Sequence, residues 1–156
     1  MDKRAIVSGI IDHLAAELET VAGASREARE AATHEENRAE DKYDTRATES
    51  SYLADGQARH AAELREAIEL YRVLATRSFG ADEPIALTAV VELKQRQFRD
   101  LYFLGPRNGG VIVREGDAEV MVITPGSPLG QQLLGRRVGD RIRLEGGREA
   151  EIVSVR

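Results

Sequence analysis

The sequence predicts an α+β protein: an N-terminal antiparallel helical hairpin, a coiled coil in outline, followed by a small α+β domain. Three observations carry this expectation. The first half holds two long runs without proline in which apolar residues recur every three or four positions. The second half holds short segments rich in β-branched and aromatic residues, bounded by Gly and Pro. Between the last two of these lies one short, strongly punctuated helix at Ser127.

The first helix runs from Arg4 to about Ala32, with Ile6, Ile10, Leu14, Leu18 and Val21 on one stripe. The second runs from about Thr45 to Ala75, with Tyr52, Ala58, Ala61, Leu64, Ile68, Tyr71 and Leu74 in the same rhythm. Two facing stripes imply an antiparallel pair. Thirty-odd residues per arm, at about 1.5 Å each, make a rod of roughly 45–50 Å. Gly23 and Gly56 interrupt the arms and are candidate bends, each costing about 1 kcal/mol relative to alanine. Beyond Val21 the large apolar residues give way to Ala22, Ala24, Ala28, Ala31 and Ala32. Small residues bury little area, so the distal end is expected to be thin and less stable than the base, a shape suited to a narrow space. A solvated coiled coil built on helix propensity alone has the same pattern.

The charged run Thr33-His34-Glu35-Glu36-Asn37-Arg38-Ala39-Glu40-Asp41-Lys42-Tyr43-Asp44 occupies the turn. Carboxylates crowded at a hairpin tip repel one another unless a cation or a basic surface neutralises them, and oxygen ligands suit Mg²⁺. A polar loop reads the same way.

In the second half, Ile85 to Leu93 is expected to be a strand, Phe98 to Leu104 a second strand ended by Gly105-Pro106, and Glu119 to Ile123 a third. Ser127 is a good N-cap and Pro128 fits the first helical position, which needs no amide donor. Leu129, Leu133 and Leu134 give that helix its apolar stripe, and Gly135 suits a left-handed stop. Ile142 and Leu144, then Ile152, Val153 and Val155, flank the turn Glu145-Gly146-Gly147-Arg148 as a terminal β-hairpin. The expected domains are 1–78, with an acidic tip near 33–44, and 83–156.

Composition narrows the function. The chain has 156 residues and no cysteine, which excludes disulfides and thiolate metal sites. No apolar run approaches the roughly 18 residues of a membrane span, and Met1-Asp2-Lys3-Arg4 leads into an amphipathic helix rather than a signal peptide, so a cytoplasmic protein without membrane contact is expected. Residues 1–82 carry 17 acidic and 11 basic side chains, net −6, whereas 83–156 carry 10 and 11, net +1. No basic stripe is present, so any role at nucleic acid passes through a protein partner. His13, His34 and His60 are scattered over the helical half, His13 and His60 as solvated positions, and no Gly-rich phosphate loop follows a strand.

The run Pro125-Gly-Ser-Pro-Leu-Gly-Gln-Gln-Leu-Leu-Gly-Arg-Arg-Val-Gly-Asp140, with its terminal hairpin, resembles the C-terminal domain of the GreA/GreB transcript cleavage factors, which bind bacterial RNA polymerase. Taken alone, such a run also fits any small α+β domain with a well-capped helix. The resemblance implies an FKBP-like domain that docks at the rim of the polymerase secondary channel through Ser127, Pro128 and Gly130. It also implies an acidic hairpin that reaches down the channel toward the catalytic magnesium, with polymerase doing the chemistry.

Members of that family carry, near the tip, a pattern Ala-Arg-Glu-x-x-Asp-Leu-x-Glu-Asn-Ala-Glu-Tyr, whose Asp and following Glu help to hold Mg²⁺. Here Ala28-Arg29-Glu30 and Glu36-Asn37 match without a gap. Glu36 therefore takes the place of the tip glutamate, beside a magnesium shared with polymerase and not bound stably by the factor itself. Thr33 stands at the aspartate position, His34 at the leucine, and Arg38 is inserted before Ala39-Glu40. A neutral hydroxyl is a poorer Mg²⁺ ligand than a carboxylate. Glu35, Glu40, Asp41 or Asp44 could substitute. The implied function is cleavage of backtracked RNA by an accessory factor, a monomer with no catalytic residues of its own. The alternative is a related regulator that blocks the channel without cleavage. Remoter readings are a helical-hairpin interaction protein and a prolyl isomerase, the last opposed by a sparse aromatic set of Phe98, Tyr102 and Phe103.

Overall fold

The computed structural model describes residues 1–36, 45–80 and 82–156. Helices α1 (Lys3–Glu36) and α2 (Thr45–Arg72) precede strands β1 (Val90–Gln95), β2 (Phe98–Leu104), β3 (Ile112–Glu115) and β4 (Ala118–Ile123). Helix α3 (Pro128–Leu133), β5 (Arg141–Arg143), a 3₁₀ turn (Glu145–Gly147) and β6 (Glu149–Val155) follow. The six strands form one sheet in the order β3-β4-β2-β1-β6-β5, in which β2 and β4 run parallel and every other neighbouring pair antiparallel. The fold is α+β, as the sequence predicts.

Two compact units are present. One comprises Met1–Ile11 with Leu70–Arg156, the other Asp12–Glu69. The sheet unit therefore includes the first turns of α1 and the last residues of α2.

In the helical unit, Leu14, Ala61, Leu64, Ala67 and Ile68 are buried. His60 Nε2 lies 2.9 Å from Glu17 Oε1 across the two helices, and its Nδ1 lies 3.9 Å from Glu63. His60 is thus exposed but engaged, which the expectation of a merely solvated position missed. Tyr52 and Ala58, expected on the apolar stripe, are exposed, Tyr52 by 74%. Among the described side chains of 15–36 and 45–60 none is buried, so the hydrophobic core of the pair stops near Leu14 and Ala61. Both helices continue through Gly23 and Gly56 without a break.

In the sheet unit, alternation along each strand loads both faces. Val91, Leu93, Leu104, Ile123, Ala150 and Ile152 join Leu133 of α3 in one core. On the strand positions between them, Phe103, Val113, Val120 and Val122 are buried as well. There Gly9 of α1 sits against Val113, whose Cγ1 would be 3.5 Å from a β-carbon at residue 9. Tyr71 donates its hydroxyl to the Arg107 carbonyl at 2.6 Å, and a β-carbon on Gly105 would clash with its oxygen. Burial pushes the Tyr71 hydroxyl pKa up to about 12.

Two strand expectations need correction. Ile85–Ala89 is not part of a strand: the Ile85 N–H and C=O bond to Arg136 and Gly135, Ala89 N–H turns back to Ala86, and Thr88 has φ of +71°. A residue at positive φ ends an extended run whatever its composition. Conversely, Ile112–Glu115 forms a strand that the sequence reading omitted, paired to β4 through the turn Gly116-Asp117, with Gly116 at φ +62°.

Candidate docking segment and hairpin tip

The segment around Ser127 is locally determined. Ser127 is extended at φ −71°, ψ 153°; its hydroxyl oxygen accepts the Gly130 N–H at 3.0 Å and donates to the Thr124 carbonyl at 2.8 Å. This satisfies an amide that the first turn would otherwise leave unpaired. Pro128 follows at the first helical position and is exposed. Gly130 is buried, and a β-carbon there would lie 1.9 Å from the Thr124 oxygen. Leu133 is fully buried and Leu129 packs beside the same core. The helix stops at Leu133: Leu134 leaves helical geometry at φ −52°, ψ 128°, and Gly135 follows at φ +76° in a turn closed by the Arg136 N–H on the Leu133 carbonyl at 3.0 Å, its own N–H bonding the Ile85 carbonyl at 2.9 Å. Asp140 then accepts the Arg137 N–H at 2.9 Å, which tightens the turn into β5.

The three residues expected to dock thus divide in role. Pro128 presents surface, the Ser127 hydroxyl donates and accepts within the segment, and Gly130 is buried. A partner touching this segment meets Pro128, Gln131, Leu134, Arg136, Arg137 and Val138, all exposed. Leu134 and Val138 are 41% and 42% accessible, apolar area that the core does not claim. The sequence reading counted Leu134 within the helix stripe and did not single out Val138.

At the other end of the chain, Thr33 is helical, and its hydroxyl donates to the Arg29 carbonyl at 2.9 Å. Back-bonding of this kind ties a threonine to its own helix. Glu35 and Glu36 end α1, and their side chains are outside the described set. Glu40, Asp41 and Asp44 lie outside the described residues altogether. Among the described residues no three His, Asp or Glu side chains come together to hold a metal ion. Thr33, with no carboxylate and its proton committed to Arg29, does not fit a magnesium ligand pair.

The three aromatics that a prolyl-isomerase pocket would need do not converge. Phe103 is fully buried, its neighbour Tyr102 lies on the opposite face of β2 beside the α3 core, and Phe98 is 64% exposed at the strand's start. Tyr102 instead lines a shallow groove of about 410 Å³ with Ile112, Met121, Asp100 and Glu119.

Among solved structures, the chain is similar to GreA factor homolog 1 (Gfh1) of Thermus thermophilus, with 24% identity over 94% of each chain and a TM-score of 0.39. It is similar to Gfh1 of Thermus aquaticus, with 26% identity over 92% of each chain and a TM-score of 0.38. The prokaryotic transcription elongation factor GreA/GreB from Nitrosomonas europaea matches 61% of this chain and 78% of its own, with 19% identity and a TM-score of 0.35. No protein-family model and no curated protein matches the chain.

Proposed function

We propose that this protein is an accessory factor of bacterial RNA polymerase, docked through the Ser127–Val138 segment and acting through its helical hairpin at the secondary channel. The observation that carries this reading is the α3 segment, in which a cap, a buried glycine and a turn at Leu134-Gly135 set Pro128, Leu134 and Val138 on the surface. A preformed, partly apolar surface binds with little ordering cost. The helices supply reach, since 34 residues of α1 span about 50 Å.

Polymerase supplies the magnesium and the phosphodiester chemistry, and the factor's part is to place the Glu36 carboxylate, or a tip carboxylate among Glu35, Glu40, Asp41 and Asp44, beside it. A second reading, a factor that occupies the channel without promoting cleavage, is favoured by Thr33, a hydroxyl bonded within its helix where the resembling family has a carboxylate. One experiment separates them: RNA cleavage and polymerase binding measured together on a backtracked complex. Binding with cleavage supports the first reading, binding without cleavage the second, and no binding removes both.

A further inference from the structure

Within the sheet unit, Lys3 and Arg4 of α1 and Arg77 and Arg156 line a recess of about 420 Å³ beside Phe79. Asp2 is the one acidic side chain among the residues that line it; its Oδ1 accepts the Arg4 N–H at 2.8 Å as the cap of α1 and keeps its charge, and its own N–H bonds Glu115 Oε1 at 3.0 Å. The end of the helix is therefore satisfied from within, and the attraction for an anion comes from the side chains. Lys3 Nζ stands 4.5 Å from the centre of the Phe79 ring, and the Arg77 guanidinium 3.9 Å. Lys3 also donates to the Arg77 carbonyl. Two cations thus share one aromatic ring and one stretch of backbone, an arrangement that holds like charges together.

Acidic neighbours offset only part of this charge. Glu83 bonds Arg77 at 3.0 Å. Glu92 meets Arg156 at 3.4 Å but is shared with Arg99 at 2.6 Å. The surplus falls on Lys3 and Arg4. Consistent with this, partial burial and the adjacent Arg77 together draw the Lys3 ammonium pKa down to about 8. In a chain of net charge −5, four basic side chains face Asp2, Glu83 and the shared Glu92 at this recess, a modest cationic excess.

We propose that the recess binds a small diphosphate-bearing anion, with Lys3, Arg4 and Arg77 as its phosphate contacts. Several separate cations suit a ligand carrying charge on two phosphoryl groups better than a single carboxylate. Phe79 already carries two cations, so recognition rests on the phosphates and not on a stacked base. Inorganic pyrophosphate and a nucleoside diphosphate share the required chemistry.

Calorimetry on the full chain at low ionic strength, with pyrophosphate, ADP, AMP and orthophosphate, tests this. Pyrophosphate and ADP should bind within about threefold of each other, and orthophosphate and AMP at least about tenfold more weakly, the loss of one charge-assisted contact. The double variant Lys3→Gln/Arg4→Gln should lose at least about tenfold in pyrophosphate affinity with unchanged circular dichroism, while Arg59→Gln, on α2, should change it by less than about twofold. In the unaltered protein, saturation should move the Lys3 ammonium titration upward from about 8. No binding of pyrophosphate at millimolar concentration, equal loss in both variants, or binding of ADP without pyrophosphate would each overturn the proposal. None of these readouts involves polymerase.

Discussion

The carbonyl oxygen of Thr124 occupies the place where residue 130 would carry its β-carbon, 1.9 Å away, so the strand end and the first turn of α3 can close on each other only through glycine. Gly126, four residues earlier in the same run, meets nothing within 4 Å and has an ordinary φ. Gly130→Ala should therefore destabilise the sheet unit by about 1–3 kcal/mol, the range of overpacking with backbone displacement, and Gly126→Ala by less than about 0.5 kcal/mol. Urea unfolding of the two variants checks the contrast. Equal stabilities would mean that the Thr124 carbonyl shifts aside freely.

Gly23 and Gly56 present the opposite case, two helix-interior glycines with open space where a side chain would go. Alanine at either position should stabilise the helical unit by about 0.5–1 kcal/mol, because it lowers the entropy of the unfolded chain at no steric cost. Thermal unfolding followed by helical circular dichroism measures the gain. A loss of stability would show that these glycines are needed for a bend.

Glu92 on β1 accepts from Arg99 at 2.6 Å and from Ser154 at 3.1 Å, and meets Arg156 at 3.4 Å. The Arg99 hydrogen bond above all holds its carboxyl pKa below the ordinary range, against the opposing effect of burial. A depressed folded value means that the stabilisation is present above the unfolded carboxylate pKa and disappears as pH falls through the folded one. Glu92→Gln should thus cost about 1 kcal/mol near neutral pH, a figure kept low because Arg99 is solvated, and nothing once the wild-type carboxylate is protonated. Denaturation across the acid range would show the two curves converging.

What the sequence made legible follows from how local each determinant is. The α3 cap, the left-handed Gly135 and the final hairpin are specified by residues within a few positions of one another, and each takes its expected form. The Ile85–Ala89 segment has the composition of a strand, but its hydrogen bonds go to Gly135 and Arg136, fifty residues away, which no local pattern records. Burial of Gly130 was equally invisible, because a docking motif and a packing motif share the same letters. The recess around Phe79 joins Lys3 to Arg77 across the whole helical pair, so its cations look like unrelated surface charges in the sequence.

Pro128 is exposed at the first position of α3, where an acidic residue is also well accommodated. Pro128→Asp should leave the unfolding curve within about 0.5 kcal/mol of wild type, yet weaken polymerase binding by at least about tenfold if this surface docks. Unchanged affinity in a pull-down titration would move the docking surface elsewhere on the sheet unit.

Under the proposed function, the tip is tested at Thr33 and Glu36. If Glu36 positions a carboxylate at the polymerase centre, Glu36→Ala should reduce any cleavage stimulation by at least tenfold, about 1.4 kcal/mol of transition-state stabilisation, without a comparable loss of binding. Thr33→Asp replaces a hydroxyl that now bonds the Arg29 carbonyl with a carboxylate that cannot donate to it. If Glu36 acts as one of a carboxylate pair, Thr33→Asp should therefore raise cleavage, or create it where the natural protein has none. Cleavage on a stalled, backtracked complex measures both. Stimulation indifferent to both substitutions would assign the work to Glu40, Asp41 or Asp44. Intact binding without cleavage in either form would identify a factor that occupies the channel and leaves the RNA whole.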